Sequence, residues 1–485
     1  MSDHLYALKD GPADCASAAE GPTESKKPSH KRKWFIWHEP GATREQIKLV
    51  SKLDFFILLY ACLTFFVKYL DQTNVNSAWF AGMKEELGLY GDELNWLTTY
   101  FNVGVIIGAP LFTSMLTIVQ PRFWIPLCTS CWSFFVLFMY KAQNIETLYG
   151  LRFCCGLFEA CVYPGMLYII GSWYRRTEIS QRTAVFLFSS IVGGMTSQFI
   201  QSGLLNIKNA LGHSSWRWLF ILDFVISLPV ALFGFFCCPG EPKGPKIWWM
   251  TEKEREMCIE RMASDGRDAR GKWDWTLIKR ILKSWEFYAF IVAWALVEMT
   301  CGLNALRWMG LWLKSFPEVD GKPQYDKHQV LELPTVIGVT QLAFVFLSAV
   351  VADVLNNRAI PFAFLGCVQL FSYIVLYVGT SNRSLRFAAY YLMGAYSGLS
   401  PLLGSWLGAC CHGDKQVRVF ITSLMISIGY AVETPVQQVV FPVSQAPDFR
   451  PTHGYLFGLI MVIVMIIWCS AIMPVLQRVF GRSKA

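Results

Sequence analysis

Long apolar runs separated by short polar connections dominate the chain. The runs are about 18–25 residues long, the length that a helix needs to cross a hydrocarbon core of about 30 Å. We predict twelve spans, near residues 53–71, 95–117, 122–141, 147–172, 183–206, 216–237, 285–313, 331–354, 358–379, 385–411, 417–441 and 453–477. The pattern therefore predicts an all-α polytopic membrane protein.

The longest polar connection divides the spans into two sets of six. The predicted order is an N-terminal tail over 1–52, a first six-helix half over 53–237, a central loop over 238–284, a second half over 285–477 and a C-terminal tail over 478–485. The N-terminal tail is rich in Ser, Pro, Lys and Glu, a composition typical of disorder.

The central loop carries two helix signals. Thr251 and Glu254 have the spacing of a capping box, which predicts that a helix begins there. Residues 273–283 form a basic amphipathic segment of the kind that lies in a membrane interface.

Composition and charge support a membrane protein. Only 16% of the 485 residues are charged and 54% are hydrophobic, whereas soluble domains carry about 25% charge. The formal net charge of +8 would suit a nucleic-acid partner, but the basic residues collect in alternate connections. Because Lys and Arg mark cytoplasmic loops, we expect both termini and the central loop in the cytosol, a lipid bilayer as surroundings and no nucleic acid.

The fifteen cysteines lie mostly inside apolar runs and are interpreted as small packing residues. No histidine has the sequence spacing of a zinc site. No nucleophile-base pair or phosphate-binding glycine loop is present either, so an enzyme is disfavoured. We expect no metal and no cofactor.

The first span ends in a polar stretch, residues 68–76. Lys68 and Asp71 share a helix face there. A charge at the centre of a membrane helix costs roughly 2.5–3.5 kcal/mol, so such residues usually face a cavity. The alternative is that Asp71 lies at an ordinary helix end, in the headgroup region.

The fourth span carries charges of both signs. Arg152, Gly156 and Glu159 fall on one stripe of the helix, with room made by the glycine. The alternative to a functional site is a buried Arg152–Glu159 ion pair that only fixes helix packing. With Lys68 and Asp71 added, a shared aqueous cavity is the favoured interpretation.

Further polar positions leave two interpretations open. In the fifth span, ligand contact and helix packing are equally expected for Ser189, Ser190, Gly193, Gly194, Gln198 and Gln201. In the second half, Glu298 and Glu433 lie within predicted spans, together with Asn304 and Arg307. These two acids would either carry protons or repel anions, or they would lie at the membrane interface. Gly104 and Gly108 have the spacing of a close helix contact.

Several motifs together resemble the anion:cation symporter family of the major facilitator superfamily. They are Lys68-Tyr-Leu-Asp-Gln-Thr-Asn-Val, Gly82-Met-Lys-Glu-Glu-Leu87, Arg152-x6-Glu159 with Tyr163-Pro164-Gly165, Ser172-Trp-Tyr-Arg-Arg176 and Trp216-Arg-Trp-Leu-Phe-Ile221. The chain is similar to the fungal allantoate-permease branch. Within it, Trp34-x2-Trp37-His-Glu-Pro-Gly41 and Trp312-Leu-Lys-Ser315 look most like the pantothenate and vitamin transporters.

The resemblance implies a major facilitator fold of two six-helix halves and a monomeric, proton-coupled transporter of the plasma membrane that takes up a small organic carboxylate. Arg152 would bind the carboxylate, while Asp71 and Glu159 would carry the proton. Many relatives have Arg after the span-one Asp; this chain has Gln72, which leaves Lys68 as the replacement. Gln72, Asn76 and Gln198 complete the expected substrate-binding set.

The direction of transport has a competing hypothesis. The glycine-proline pattern of drug/proton antiporters is absent from the fifth span, which favours uptake. An exporter of a fungal secondary metabolite would use the same fold, since fold alone does not fix substrate or direction. A nutrient sensor, which binds without flux, is a third hypothesis.

Overall fold

The computed structural model describes residues 37–38, 41–207, 212–242, 244, 247–264, 275–319, 322–355, 357–411 and 415–481. Most of the predicted disordered tail lies outside these residues, as do parts of the central loop and the last four residues. The described chain is almost entirely helical. Its one small sheet pairs Glu318–Val319 with Lys322–Pro323 in an antiparallel hairpin.

The first half contains six long helices, called spans 1 to 6. They are Arg44–Glu86, Glu93–Ile118, Pro121–Phe138, Ile145–Glu159 continued by Val162–Trp173, Arg176–Leu204 and Ser215–Cys237. Span 4 is interrupted between its two segments, directly after Glu159.

Spans 7 to 12 form the second half and contain more interruptions. They are Trp285–Met299 with Ala305–Lys314, Lys327–Glu332 with Thr335–Leu355, Ala359–Val378, Arg383–Leu392 with Leu399–Cys410, Lys415–Val440 and Gly454–Ile467 with Met473–Gly481. Short 3₁₀ turns join the segments of spans 7 and 10. Twelve spans are therefore present in the described chain, as the sequence predicts.

Span 1 differs from its predicted bounds. The helix begins at Arg44 and continues to Glu86, so the polar stretch lies in mid-helix rather than at its end. Asp71 is completely buried, and its predicted alternative position in the headgroup region is wrong. The boundary was misjudged because polar residues that face the protein interior interrupt an apolar run in the same way as a helix end.

Glycines bring spans 2 and 4 into backbone contact. A Cβ on Gly104 or Gly108 would collide with backbone atoms of Phe153 and Leu157. A Cβ on Gly156 would collide with the Phe101 carbonyl oxygen. The predicted close contact is confirmed, and it fixes the position of Arg152 one turn before Gly156.

A helix of the central loop, Glu252–Ser264, is called the central helix. It begins with the predicted capping box: the backbone N–H of Thr251 donates to Glu254 Oε2 at 2.9 Å, and that of Glu254 donates to Thr251 Oγ1 at 3.4 Å. Three ion pairs in the described chain join it to the first half: Lys52 with Glu254 at 2.8 Å, Arg261 with Glu178 at 2.6 Å and Lys253 with Glu45 at 3.3 Å. The central helix is thus attached to the first half.

The face of the bundle that carries Arg44 and Gly481 is called the terminal face, and the other is the opposite face. At the terminal face, Arg182 forms a bidentate ion pair with Asp54, with N–O distances of 2.6 and 2.9 Å. Its guanidinium lies between the rings of Trp37 and Tyr174, at 4.7 and 4.6 Å. Trp37 and Tyr174 belong to two of the motifs that resemble the symporter family, and both contact Arg182 here.

The two halves also touch each other at the opposite face. Asn95 of span 2 donates to the carbonyl oxygens of Gln437 and Phe441, at 3.2 and 2.9 Å. Ser202 of span 5 donates to Glu332 Oε1 at 2.6 Å, and its hydroxyl lies 2.8 Å from His328 Nδ1. These hydrogen bonds join the halves at the opposite face.

Of the fourteen cysteines in the described part of the chain, all but Cys367 are at least partly buried. The interpretation of the cysteines as packing residues is confirmed for the buried ones. The described residues also contain no group of three or more His, Cys, Asp or Glu side chains arranged to hold a metal ion.

Candidate functional site

A cavity of about 210 Å³ lies between the two halves. The polar side chains in its wall come from both. The first half contributes Tyr69, Gln72, Thr73, Asn76, Thr98, Asn102, Arg152, Ser190 and Gln198. The second half contributes Asn304, Arg307, Thr335, Gln341, Tyr396, Ser397, Ser400, Tyr430 and Glu433. Both halves therefore contribute polar side chains to a cavity whose wall is otherwise apolar.

Arg152 lies in the cavity wall and is 4% exposed. Its Nη1 lies 3.4 Å from Oδ1 of Asp71, and its guanidinium carbon lies 4.6 Å from the centre of the Phe101 ring. The Nε of Arg152 has no hydrogen-bond partner among the described residues. The ion-pair partner of Arg152 is thus Asp71 of span 1, not Glu159 of its own helix.

Glu159 lies behind the cavity wall and is completely buried. One of its carboxylate oxygens accepts a hydrogen bond of 3.0 Å from Nε2 of Gln72, while the other has no partner in the described part of the chain. Gln72, which does line the cavity, therefore connects Glu159 to it.

Lys68 is also placed behind the wall. Its Nζ lies 6.0 Å from the ring centres of both Phe65 and Tyr69. The described residues offer it no hydrogen bond or ion pair, and it is not among the residues that line the cavity. The structure thus brings four of the seven predicted site residues into the wall, namely Gln72, Asn76, Arg152 and Gln198, and leaves Lys68, Asp71 and Glu159 behind it.

The polar residues of span 5 separate into two groups. Ser190, Gly194 and Gln198 line the cavity. By contrast, Gly193 packs against the backbone of Phe66, and Gln201 is buried outside the wall. Both interpretations open at the sequence level therefore apply, each to different residues.

Sequence reasoning missed Asp223. This aspartate of span 6 is 1% exposed and accepts a hydrogen bond from Asn74 Nδ2. The amide oxygen of Asn74 in turn accepts from Ser197 Oγ at 2.7 Å. A lone acidic residue in the apolar run 216–237 was the available signal, by the same argument that singled out Asp71.

The acids of the second half are interior residues. Glu298 is 8% exposed and accepts a hydrogen bond of 2.7 Å from the Tyr396 hydroxyl. Glu433 is 3% exposed and accepts from Asn304 Nδ2 at 3.3 Å. The alternative of an interfacial position is wrong for both residues.

Arg307, in the cavity wall, connects the two halves. Its Nη1 donates to Asn95 Oδ1 at 3.4 Å and to Thr98 Oγ1 at 3.3 Å, both in span 2. Its Nη2 donates to Asn304 Oδ1. The hydrogen bonds of this arginine within the described chain therefore go to neutral groups.

Residues 61–432 match the family model of the Major Facilitator Superfamily. The chain belongs to this superfamily. Over 447 residues it is 41% identical to the MFS transporter PfmaC of Pestalotiopsis fici, a match that covers 92% of this chain and 83% of the relative. It is 32% identical over 419 residues to a pantothenate transporter of Saccharomyces cerevisiae, a match that covers 83% of this chain and 79% of the relative.

A third relative is the vitamin H transporter of Saccharomyces cerevisiae, 27% identical over 470 residues, with 94% of this chain and 77% of the relative covered. The resemblance to vitamin transporters noted from the motifs is thus confirmed. The chain is a multi-pass membrane transporter that moves a small molecule, and it is not an enzyme.

Solved structures confirm the fold. The xylose transporter of Escherichia coli, in a partially occluded inward-open conformation, aligns with a TM-score of 0.64 at 12% identity, covering 85% of this chain and 98% of that one. A bacterial homologue of the human lysosomal transporter Spinster, facing inward, aligns with a TM-score of 0.58 at 14% identity, covering 89% and 96%. The major facilitator fold of two six-helix halves is therefore present.

Proposed function

We propose that the chain is a proton-coupled symporter that takes up a small organic carboxylate of the pantothenate type by alternating access of its two halves. The observation that carries this proposal is a permanently charged guanidinium, that of Arg152, in the wall of the cavity between the halves. A guanidinium binds a carboxylate through two parallel hydrogen bonds. The similarity to a pantothenate transporter supports this substrate class.

The ion pair of Arg152 supplies the coupling. With Asp71 ionised, the positive charge of Arg152 is balanced inside the protein. Protonation of Asp71 removes its negative charge, so the guanidinium becomes available to a substrate carboxylate. Substrate and proton would then enter together, and neither would be bound strongly alone.

Gln72 extends the coupling to a second acid. Since its amide donates to Glu159, a substrate that contacts Gln72 in the wall would alter the surroundings of the Glu159 carboxylate. We assign Asp71 and Glu159 to proton transfer. Gln72, Asn76 and Gln198 are assigned to the neutral part of the substrate, and Lys68, behind the wall, to balancing the charge of Glu159.

We place the terminal face in the cytosol and the protein in the plasma membrane as a monomer. Basic residues support this orientation, because the terminal-face connections hold Arg175, Arg176, Arg182, Arg358, Lys415, Arg418 and Arg478, along with those of the central helix. In this orientation the opposite face is extracellular, and uptake would carry the substrate from that face toward the cytosol.

Uptake of radiolabelled pantothenate tests the proposal in yeast cells that lack their own pantothenate transporter. Saturable uptake that rises as the external pH is lowered, and that Asp71→Asn makes independent of pH, is the expected result. No uptake, together with retention of an internal product in cells of the source organism that lack the protein, would establish an exporter instead. Binding without counterflow in reconstituted vesicles would establish a sensor.

A further inference from the structure

The cavity has a second chemical feature besides Arg152, in the wall formed by the second half. Glu433 of span 11 lines the cavity with only 3% of its surface exposed. Its Oε1 accepts from Asn304, but its Oε2 is buried and has no hydrogen-bond partner among the described residues. A buried carboxylate oxygen without a donor is costly, so its partner is expected from whatever fills the cavity.

The surroundings of Glu433 show why the protein itself does not supply this donor. Asn304 stands between Glu433 and Arg307: its amide oxygen accepts from Arg307, and its amide nitrogen donates to Glu433. No ion pair joins Glu433 to Arg307 in the described chain, since that arginine donates to neutral groups. Asn304 therefore occupies one oxygen of Glu433 and holds the arginine away from the other.

The neighbouring hydroxyls do not fill the position either. The hydroxyl of Tyr396, another cavity residue, donates to Glu298. Thr434, next to Glu433 in the chain, accepts from Asn102 Nδ2 at 3.0 Å and donates to the carbonyl oxygen of Tyr430 at 2.6 Å. These two neighbouring hydroxyls are thus committed to other acceptors.

From this arrangement we propose that Glu433 is a specificity-determining residue that accepts a hydrogen bond from a donor group of the substrate, such as a hydroxyl, at the end remote from its carboxylate. The inference rests on the proposed function, in which Arg152 binds the carboxylate. The substrate would then join the two halves, with its anionic end on the first half and its donor end on the second. Organic anions without a distal donor would be rejected, because they leave Oε2 of Glu433 unpaired.

Counterflow into vesicles that contain the full-length protein tests this with two probes. One is pantothenate, which has a carboxylate and two distal hydroxyls. The other is N-(3,3-dimethylbutanoyl)-β-alanine, which has the same skeleton, amide and carboxylate but lacks both hydroxyls. The wild type should prefer pantothenate by about 10- to 100-fold in half-saturating concentration, the range expected for a hydrogen bond to a charged acceptor.

Glu433→Gln should reduce this preference to less than about 3-fold, mainly by weakening pantothenate, because the amide group that replaces Oε2 donates instead of accepting. The matched control is Glu298→Gln, a buried glutamate of the same half outside the cavity wall, which should change both probes by the same factor. If Glu433→Gln does not reach the membrane, Glu433→Asp, which keeps the charge but withdraws it by one carbon, should also lower the preference.

Three outcomes would overturn the inference. A Glu433→Gln protein that keeps the full preference shows that the hydroxyls are recognised elsewhere. Equal transport of both probes by the wild type excludes a distal donor contact but leaves carboxylate transport standing. Transport of neither probe by the wild type contradicts the proposed function itself, and the assignment of Glu433 fails with it.

Discussion

Nη1 of Arg152 lies 3.4 Å from Oδ1 of Asp71, across the contact between spans 4 and 1, and both side chains are buried. The arginine is in the cavity wall and the aspartate is behind it. The charge in the cavity wall is therefore balanced by an acid that lies outside that wall. This separation allows the two partners to be tested independently.

Removing only one partner of this pair should destabilise the protein. Arg152→Gln leaves the Asp71 carboxylate buried without a counter-charge, which typically costs about 3–5 kcal/mol. The double variant Asp71→Asn/Arg152→Gln should recover most of that loss because no charge remains. Thermal unfolding of the detergent-purified proteins, followed by fluorescence-detected size exclusion, measures the difference.

Recovered stability should not restore transport. A carboxylate substrate needs the positive charge whatever happens to Asp71, so the double variant should reach the membrane and show no saturable uptake at any pH. Arg152→Lys should also transport poorly, since a point charge does not reproduce two parallel hydrogen bonds. Normal uptake by the double variant would reassign Arg152 to a scaffold role.

Gly156→Ala should be destabilising by about 1–3 kcal/mol, because the added methyl group collides with the Phe101 carbonyl oxygen. Gly150 of the same helix is the matched control: a Cβ there meets no atom within 4 Å. Gly150→Ala should therefore be neutral or slightly stabilising through its higher helix propensity. Equal melting temperatures for the two variants would contradict the close contact of spans 2 and 4.

Cys258 of the central helix should be almost unreactive in the folded protein. Burial raises the pKa of its thiol to about 12, so on the order of one thiol in ten thousand is ionised at a pH of about 8. Glu256 is exposed on the same helix. In a Glu256→Cys protein treated with N-ethylmaleimide, mass spectrometry should find the introduced thiol labelled and Cys258 unlabelled until the protein is denatured; equal labelling would show that the central helix is not packed as described.

Ser202→Ala should favour opening of the opposite face, because it removes the donor to Glu332 and the contact with His328. The reporter is Thr73→Cys, placed in the cavity wall. A membrane-impermeant maleimide added outside the cell should label it several times faster in the Ser202→Ala background. Ser189→Ala, which removes a bond to the backbone of Phe186 and no contact of Glu332 or His328, is the control and should leave the labelling rate unchanged.

The sequence predicted the spans well, because length and apolar composition decide whether a segment enters the bilayer. The prediction failed where a polar residue in an apolar run has two possible explanations, a helix end or a side chain that faces the protein interior. Asp71 looked like the neighbourhood of a helix end, since hydropathy does not distinguish an inward-facing carboxylate from one in the headgroups. Periodicity also gave the face of span 4 that carries Arg152, but not which helix packs opposite that face.

The structure supplied what periodicity lacks, the pairing between helices. Span 1 provides both partners: Asp71 forms the ion pair with Arg152, and Gln72 donates the hydrogen bond to Glu159. Asp223 was missed, although the rule that a charged residue within a span usually faces the interior applies to it. The polar residues of span 5 could be divided into cavity residues and packing residues only once the contact of Gly193 with Phe66 was known. The motifs pointed to helices that line the cavity, and three-dimensional packing then decided which side chain each residue meets.

The central helix is bound to the first half through Lys52 and Glu178. If the two halves rotate against each other during transport, this helix moves with the first half. Its distance from the second half then changes with the conformation of the transporter. A fluorophore at the exposed position of Glu256 and a second one on span 12 near Arg478 would therefore report the angle between the halves in real time. The distance from the central helix to span 12 would then show to which side of the membrane the cavity is open, and no label would have to be placed in the cavity itself.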